Sequence, residues 1–337
     1  MTSKSTKWRI FNRPFLLSPV GKDYLWGGTK LRDKYDKKLE VSPLAESWEC
    51  STHSDGTNII QSGIFAGKTL KDVLMEHPEF LGTHPKTKGE LPILIKFIDA
   101  KEKLSVQVHP DDEYAKMNEN GSLGKTELWY VVEAEPDAEL IYGFYRDINK
   151  QIVEENLEKG TIEKYLQKVK VKKDDIFYIE AGTVHAIGAG ILIAEIQENS
   201  NLTYRLYDYN RKDKNGKIRE LHIDKALEVM NYKGGMLPRQ PMRILRYAPG
   251  CATEFLCRCQ YFQVERMLIN NRELKSGVVI ETGSNSFQVL LCLEGEVKLI
   301  ENSEIYLRFK KGDCVFIPAN SIELVLKGNG QLLRVSC

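Results

Sequence analysis

The sequence lacks the features typical of membrane, secreted and nucleic-acid-binding proteins. No apolar run in its 337 residues approaches the length needed to cross a bilayer, and the N-terminus has no apolar core of the signal-peptide kind. The 48 lysines and arginines balance 47 aspartates and glutamates, so no basic excess favours nucleic-acid binding. We therefore expect a cytoplasmic protein whose partners are neither membranes nor nucleic acids.

Disulfides and cysteine-based zinc motifs are also missing from the pattern. The cysteine count is odd, at seven, and Cys257 and Cys259 are separated by one residue instead of the two of a CxxC motif. In a strand, these two side chains would share one face. Because an odd count without a leader is typical of reduced proteins, we expect free and mostly buried thiols.

Short apolar segments bounded by turn-forming residues dominate the chain. Its length is typical of two domains, and its 42% hydrophobic and 28% charged residues are ordinary for a globular protein. Segments rich in β-branched and aromatic residues predict strands. They are 91–100, 103–110, 127–135, 139–144, 175–181, 190–198, 262–269, 287–301, 314–319 and 322–328.

Helical periodicity is confined to a few places. The pattern predicts helices at about 69–77, 110–119, 147–169 and 222–232, with the third divided into two helices at Gly160. Strands lie on both sides of these segments. The sequence therefore predicts a mainly β protein with a few helices inserted in and around its first part.

A weak internal repeat suggests two related β-barrels. The segment KKDDIFYIEAGTVH (172–185) aligns without gaps with KKGDCVFIPANSIE (310–323). Glycines and prolines at 234–241 punctuate the chain between the copies, so we expect domains at 1–237 and 238–337. Chance similarity between short β-segments is the alternative. In this alignment His185 corresponds to Glu323, so an imidazole is present in the first copy alone.

Three segments carry the groups most suited to chemistry. Gln107 and His109 would point to the same face of a strand, Glu127 begins a second strand, and His185 ends a third. Two histidines and a glutamate are a known ligand set for catalytic zinc, and the Gln107 amide oxygen could add a fourth ligand. The same histidines could instead be hydrogen-bonded residues of a barrel interior, and spacing alone does not decide between these readings.

These segments resemble the motifs of a known family. SVQVHPDD (105–112), GKTE (124–127), IEAGTVHAIG (179–188) and AEIQENSNLTYRLYDYNR (194–211) are similar, in this order, to the motifs of type I mannose-6-phosphate isomerases of the short bacterial kind, which belong to the cupin superfamily. Segments 17–31 and 43–51 resemble the family as well. The likeness covers most of 15–235 and is weaker over 240–337. It implies two cupin-like jelly-roll β-barrels, the second without a metal site.

The resemblance also implies an activity and a set of site residues. The activity is the interconversion of mannose 6-phosphate and fructose 6-phosphate, by enediol proton transfer between C1 and C2. The implied metal is one zinc ion per chain, with Gln107, His109, Glu127 and His185 as ligands. The residues implied near the substrate are Arg205, Glu195, Lys125, Ser105 and Arg211, the last of which replaces a lysine common in the family.

Two further residues come from the sequence itself. Trp26 is a candidate for stacking on the sugar, and His53 lies in a polar loop. Glu195 and His53 are both candidates for the base that removes the carbon proton, and the sequence does not choose between them. It does not predict an oligomeric state.

Other functions fit parts of the same pattern. Another metal-dependent cupin enzyme, such as a different sugar-phosphate isomerase or an iron dioxygenase, would use a similar barrel. An iron oxygenase more usually has a His-x-His motif, or two histidines and a carboxylate with open positions, so Gln107 in place of the first histidine argues mildly against it. A non-catalytic sugar-binding protein with two cupin barrels should have lost its ligands in both copies, whereas the first copy keeps them.

Overall fold

The chain forms three β-sheets joined by turns and short helices. The computed structural model describes residues 12–85, 89–212, 216–238 and 244–337. The first strands of these ranges are β1 (Phe15–Ser18), β2 (Val20–Lys22), β3 (Glu46–Cys50), β4 (Ile59–Ile60), β5 (Ile93–Ala100) and β6 (Val106–Val108). The central strands are β7 (Glu127–Ala134), β8 (Glu139–Phe144), β9 (Leu166–Lys170), β10 (Ile176–Ile179), β11 (His185–Ala186), β12 (Ile191–Glu198) and β13 (Tyr204–Tyr207). The C-terminal strands are β14 (Ile244–Ala248), β15 (Cys251–Arg258), β16 (Gln263–Asn270), β17 (Val278–Ile280), β18 (Gln288–Glu301), β19 (Glu304–Lys310), β20 (Cys314–Ile317) and β21 (Leu324–Ser336).

The prediction of a mainly β chain is confirmed. A six-stranded sheet has the order β10-β7-β12-β5-β3-β2, and a five-stranded sheet has the order β13-β6-β11-β8-β9. The third sheet has ten strands, in the order β14-β15-β16-β21-β18-β20-β1-β4, with β17 paired to β21 and β19 to β18. Of the predicted site residues, those in strands lie in the first two sheets: Gln107, Glu127, His185, Glu195 and Arg205.

Helices are short in the described part of the chain. They are α1 (Lys30–Tyr35), α2 (Leu70–Glu76), α3 (Asp112–Asn118), α4 (Lys150–Glu158) and α5 (Ile223–Val229). Within these ranges, none reaches the length and apolar character of a membrane-spanning helix. Thr69, Asp111 and Asn149 cap α2, α3 and α4 by accepting a backbone N–H three residues further on. Helices thus exist at all four predicted positions. Those predicted at 69–77, 110–119 and 222–232 are slightly shorter than expected, the one at 147–169 covers only Lys150–Glu158, and α1 was not predicted.

One part of the helix prediction is wrong. After α4, Gly160 adopts a φ of +64°, which ends the helix. The expected second helix is a single 3₁₀ turn (Ile162–Lys164) followed by β9. Strand β9 pairs with β8, matching Leu140 to Val169. Pairing with a neighbouring strand overrides the weak helical periodicity of this segment. The local sequence alone does not indicate this pairing.

The two repeat segments have the same local structure. The offset from 172 to 310 maps β10 onto β20 residue for residue. Asp175 accepts a hydrogen bond from the Lys172 N–H at 2.9 Å, and Asp313 accepts one from the Lys310 N–H at 2.8 Å. The left-handed positions also coincide, Asp174 with Gly312 and Gly182 with Asn320. Chance similarity does not explain so many shared details, which supports a structural repeat.

The ten-stranded sheet joins the two ends of the chain. Strand β1 pairs with β20, matching Phe15 to Phe316, and also with β4. A hydrophobic core that includes Phe15, Phe97 and Phe316 extends from this sheet to the six-stranded one. The proposed domain division after residue 237 stays a prediction, and the N-terminal strand lies in the sheet of the C-terminal part.

The thiol prediction agrees with the structure. All seven cysteines are free. Cys257 and Cys259 are half-buried and pack against the same hydrophobic core, as expected for alternate residues at the end of a strand. Burial raises the pKa of the Cys257 thiol to about 12, so it stays protonated at neutral pH.

Candidate active site

Three buried side chains with metal-binding groups converge between the six-stranded and five-stranded sheets. His109, Glu127 and His185 place one ligand atom each within 4.8 Å of one another. Nε2 of His109 lies 3.1 Å from Oε1 of Glu127, and Nε2 of His185 lies 3.8 Å from Oε2. At most 1% of each side chain is exposed. The structure therefore brings together three of the residues that the sequence grouped as candidate metal ligands.

Strand pairing explains how Gln107 reaches the same place. Gln107 on β6 is matched directly with His185 on β11 and with Arg205 on β13. Directly opposite residues on neighbouring strands have their side chains within contact distance. The Gln107 amide nitrogen lies 3.3 Å from Nε2 of His185. Rotating the Gln107 amide group by 180° would place its oxygen, instead of its nitrogen, beside Nε2 of His185. Both orientations fit the same atomic positions, and the choice between them follows from the hydrogen-bond partners.

The surrounding contacts suit the cluster to a divalent metal ion. Nδ1 of His185 lies 2.8 Å from the Thr183 carbonyl oxygen and donates to it, which leaves Nε2 with its lone pair facing Glu127. The Trp129 indole N–H donates to Oε2 of Glu127 at 2.9 Å. Two imidazoles, a carboxylate and an amide, held in fixed orientations, fit the donor set that zinc prefers.

The charges of the cluster also favour metal binding. Burial, together with the Lys125 charge, lowers the pKa of His109 to about 3, so its imidazole is neutral at pH 7. Burial lowers the pKa of His185 as well. For Glu127, burial alone would raise the pKa, but Lys125 and His109 bring it well below its usual range. Neutral imidazoles and an ionised carboxylate are the forms that bind a metal.

A row of buried charged and aromatic side chains crosses the adjacent sheet. Glu195 on β12 is matched with Trp129 on β7 and with Lys96 on β5, and Lys96 is matched with Trp48 on β3. Oε2 of Glu195 lies 3.0 Å from Nζ of Lys96, and Oε1 accepts the Trp129 indole N–H at 2.9 Å. Glu46 lies 3.7 Å from the same ammonium. Because Glu127 and Glu195 share Trp129 as donor, the row is continuous with the metal-binding cluster.

The pKa values of Glu195 and Lys96 in this row are both raised, for different reasons. Burial and the nearby Glu127 charge raise the pKa of the Glu195 carboxyl. Burial opposes the charge of Lys96, but Glu195 and Glu46 outweigh it and raise the pKa of the ammonium. A carboxyl group with a raised pKa can both accept and return a proton near neutral pH.

A cavity of about 250 Å³ lies over the row and beside the cluster. This is below the range of about 300–1,000 Å³ typical of drug-sized ligands, so it suits a compact molecule. The charged side chains in its wall are four cations and two acids: Lys96, Lys125, Arg205, Arg219, Glu46 and Glu195. The excess of positive charge favours an anionic ligand.

Most of the predicted site residues meet in this cavity. Trp26, Ser105, Gln107, Lys125, Glu195 and Arg205 all line it. Nζ of Lys125 lies 2.6 Å from Oε1 of Glu127, and Nε of Arg205 lies 3.3 Å from the Ser105 hydroxyl oxygen. Trp26 stacks on Tyr24, with ring centres 5.4 Å apart, and is almost fully buried. Trp26 therefore has little exposed surface to offer a ligand.

Two predicted residues lie elsewhere. His53 lines a neighbouring depression together with Asp55 and Asn199, and its ring packs edge-on against Trp48. Arg211 is turned towards the buried carboxylate of Asp208, with which it forms an ion pair. Asp208 also holds Arg219 through two hydrogen bonds of 2.7 Å. The structure thus places Arg219, rather than Arg211, in the cavity wall.

The sequence analysis missed Lys96, Glu46 and Arg219. A signal for Lys96 exists, because it is the only charged residue in the apolar run 93–98, and a charge inside a buried strand needs a partner. Glu46 alternates with Trp48 in a short buried strand, which is a weaker signal. For Arg219 we find no signal in the sequence.

Comparisons with known proteins agree with this geometry. The family model described as "Phosphomannose isomerase type I, catalytic domain" matches residues 15–126, and the model "Mannose-6-phosphate isomerase, cupin domain" matches 252–337. The chain is 38% identical to the mannose-6-phosphate isomerase ManA of Bacillus subtilis over 321 residues, covering 95% of this chain and 98% of that one. The chain belongs to the type I phosphomannose isomerase family.

Two further relatives support this membership. The probable mannose-6-phosphate isomerase GmuF of B. subtilis is 46% identical over 323 residues, which cover 95% of this chain and 98% of the relative. A crystal structure of a B. subtilis mannose 6-phosphate isomerase matches with a TM-score of 0.88 and 34% identity, covering 96% of this chain and 99% of that one. The predicted cupin-like fold is thereby confirmed, and the family relationship favours an isomerase over the other cupin functions considered above.

Proposed function

We propose that this chain is a zinc-dependent aldose–ketose isomerase that interconverts mannose 6-phosphate and fructose 6-phosphate. The observation that carries the proposal is the placement of Glu195, which lines the cationic cavity and is connected through Trp129 to the cluster of His109, Glu127 and His185. A proton-transfer group, a metal-binding cluster and an anion-binding wall therefore share one small space. The identity of the substrate is inferred from the relatives named above, which are described as mannose-6-phosphate isomerases.

The proposed metal is one zinc ion per chain. Gln107, His109, Glu127 and His185 would hold it, with Gln107 contributing its amide oxygen. When bound, zinc supplies positive charge beside the sugar oxygens on which negative charge develops during isomerisation.

The carboxylate of Glu195 is the proposed base. It takes the proton from C2 of mannose 6-phosphate, which leaves an enediolate, and returns that proton to C1. The hydroxyl proton of O2 passes to O1 by way of the enediol, so that the C1 aldehyde becomes an alcohol and C2 becomes the ketone. Its raised pKa makes this carboxylate a stronger proton acceptor than an ordinary glutamate. His53 was the other candidate, and its place in the neighbouring depression favours Glu195.

Cationic side chains complete the proposed site. Lys125 and Arg205 stand on the cavity wall and place positive charge near the sugar oxygens O1 and O2. We assign the phosphate group to Arg219, which Asp208 holds in a fixed orientation suited to two-point hydrogen bonding. Ser105 and Trp26, which line the cavity, would contact the sugar. We also propose that the enzyme acts in the cytoplasm.

A solvent-deuterium experiment tests the activity and its proton-transfer mechanism together. Mannose 6-phosphate incubated with the zinc-loaded enzyme in D₂O is expected to give fructose 6-phosphate with deuterium at C1, because the proton held by Glu195 exchanges with water in the open cavity. NMR follows the label, and an oxygen electrode should register no oxygen consumption. Glucose 6-phosphate and unphosphorylated mannose serve as comparison substrates. A metal-loaded enzyme that turns over neither mannose 6-phosphate nor fructose 6-phosphate would rule out the proposed function.

A further inference from the structure

The segment that carries Lys125 is fixed by three consecutive backbone hydrogen bonds. The Gly124 N–H donates to Oδ1 of Asp112 at 2.8 Å, and the Thr126 N–H donates to Oε1 of Glu198 at 2.7 Å. Between them, the Lys125 N–H donates to the Pro110 carbonyl oxygen at 3.0 Å. The segment leads directly into Glu127, which is itself held by strand pairing and by Trp129, so the position of the segment determines where the Lys125 ammonium lies.

The segment also packs tightly against the start of α3. A Cβ atom at Gly124 would lie 2.5 Å from the backbone carbon of Asp111 and 2.5 Å from the backbone nitrogen of Asp112. Only glycine permits this approach. Asp112 therefore contacts the segment through both its backbone and its side chain.

The C-terminal part of the chain reaches the same point. Tyr261 lies in the turn between β15 and β16 of the ten-stranded sheet. Its hydroxyl donates to Oδ2 of Asp112 at 2.9 Å. One carboxylate thus receives the Tyr261 hydroxyl on one oxygen and the Gly124 amide on the other, and links a residue of the ten-stranded sheet to the loop beside the metal-binding cluster.

Glu198 completes the arrangement from β12. It is 2% exposed, and a side-chain hydrogen bond joins it to Asp112. Burial and the Asp112 charge raise the pKa of Glu198 to about 8. Glu198 is therefore mostly protonated at pH 7, and its O–H can donate to Asp112 while its other oxygen accepts the Thr126 amide.

We propose that Tyr261 is a positioning residue for catalysis, acting through Asp112 and together with Glu198 to hold residues 124–126 and thereby the Lys125 ammonium beside Glu127. This inference rests on the proposed isomerase function. It gives the ten-stranded sheet a part in the active site, although it places no side chain of that sheet in contact with the substrate.

The first test removes only the hydroxyl. In Tyr261→Phe, we expect kcat for mannose 6-phosphate to fall about fivefold, since small displacements of a charged group weaken its action in the transition state. KM and zinc content should stay within about twofold of the wild-type values, because the ligands themselves are untouched. Tyr306→Phe is the matched control. Tyr306 lies in the same sheet and donates its hydroxyl to the Pro14 carbonyl oxygen at 3.0 Å, away from the cavity, so its removal should leave kcat unchanged.

The second test separates hydrogen bonding from simple packing. Glu198→Gln keeps an acceptor for Thr126 and a donor for Asp112, so it should retain at least about half of the wild-type kcat. Glu198→Ala removes both, and its kcat should fall about tenfold. The ratio between these variants reports on the hydrogen bonds specifically.

The outcomes distinguish this inference from the proposed function. A wild-type enzyme without isomerase activity would refute the proposed function, and with it the role of Tyr261 in that reaction. An active wild-type enzyme with unchanged kcat in Tyr261→Phe would overturn the inference alone. The inference would also be wrong if Tyr261→Phe only lowered the melting temperature, or if Glu198→Gln lost as much kcat as Glu198→Ala.

Discussion

His185→Ala is expected to remove the metal from the purified protein and to lower kcat at least about 100-fold, the scale of losing a group that stabilises developing charge. His185 is fully buried, and its Nδ1 hydrogen bond to Thr183 holds Nε2 towards Glu127. Alanine supplies no ligand atom and leaves a cavity that the rigid strands cannot close. Elemental analysis of the folded variant, with a coupled isomerase assay, checks both effects.

The matched control for this change is His84→Gln. His84 lies in an exposed loop, where its ring approaches the Cys337 carbonyl oxygen at 3.4 Å, far from the cluster in sequence and contacts. It should keep wild-type metal content and activity. If His185→Ala retained a full complement of metal and normal turnover, the cluster would not be the metal site.

Lys96→Met is expected to lower both stability and activity. The ammonium lies 3.0 Å from Glu195 and 3.7 Å from Glu46, and 4% of the side chain is exposed. Removing one partner of a buried ion pair costs about 3–5 kcal/mol of unfolding free energy, because the remaining charge stays buried without compensation. The loss also raises the pKa of Glu195 further, which leaves less of the carboxylate to act as base. We expect kcat to fall at least about 100-fold.

Denaturant titration and steady-state kinetics measure these two effects separately. Lys101→Met provides the control, since Lys101 follows the same strand but is exposed. The double variant Lys96→Met/Glu195→Gln should recover much of the lost stability, because it removes the Glu195 carboxylate that would otherwise stay buried without its cation. This variant should stay inactive. A single variant as stable as the wild type would show that Lys96 does not compensate buried carboxylates.

The grouping of His109, Glu127 and His185 could be predicted because these residues lie in local patterns. Gln107 and His109 alternate in one short segment, and the motifs around Glu127 and His185 are each contiguous. The period of two along a strand places alternate side chains on one face, so such motifs identify groups that can meet. The repeat between 172–185 and 310–323 was visible for a similar reason, since its turn residues and apolar positions are matched one for one.

The rest of the site depends on pairing between distant strands. Lys96 meets Glu195 and Trp48 because β5 lies between β12 and β3 in a fixed register. No single segment encodes that register, and a shift of one residue would turn every side chain to the other face. The same limitation explains the error after Gly160, where pairing of β9 with β8 decided the structure. Arg219 reaches the cavity through its ion pair with Asp208, a contact that depends on loop geometry.

The most direct test of the account measures mannose 6-phosphate turnover against metal content. We predict that the purified protein contains about one zinc ion per chain, because the described residues contain one cluster of metal-binding groups. Chelation should abolish turnover, and added zinc should restore it in proportion to the ion bound. Full turnover in a protein stripped of all metal would contradict the proposed role of His109, Glu127 and His185.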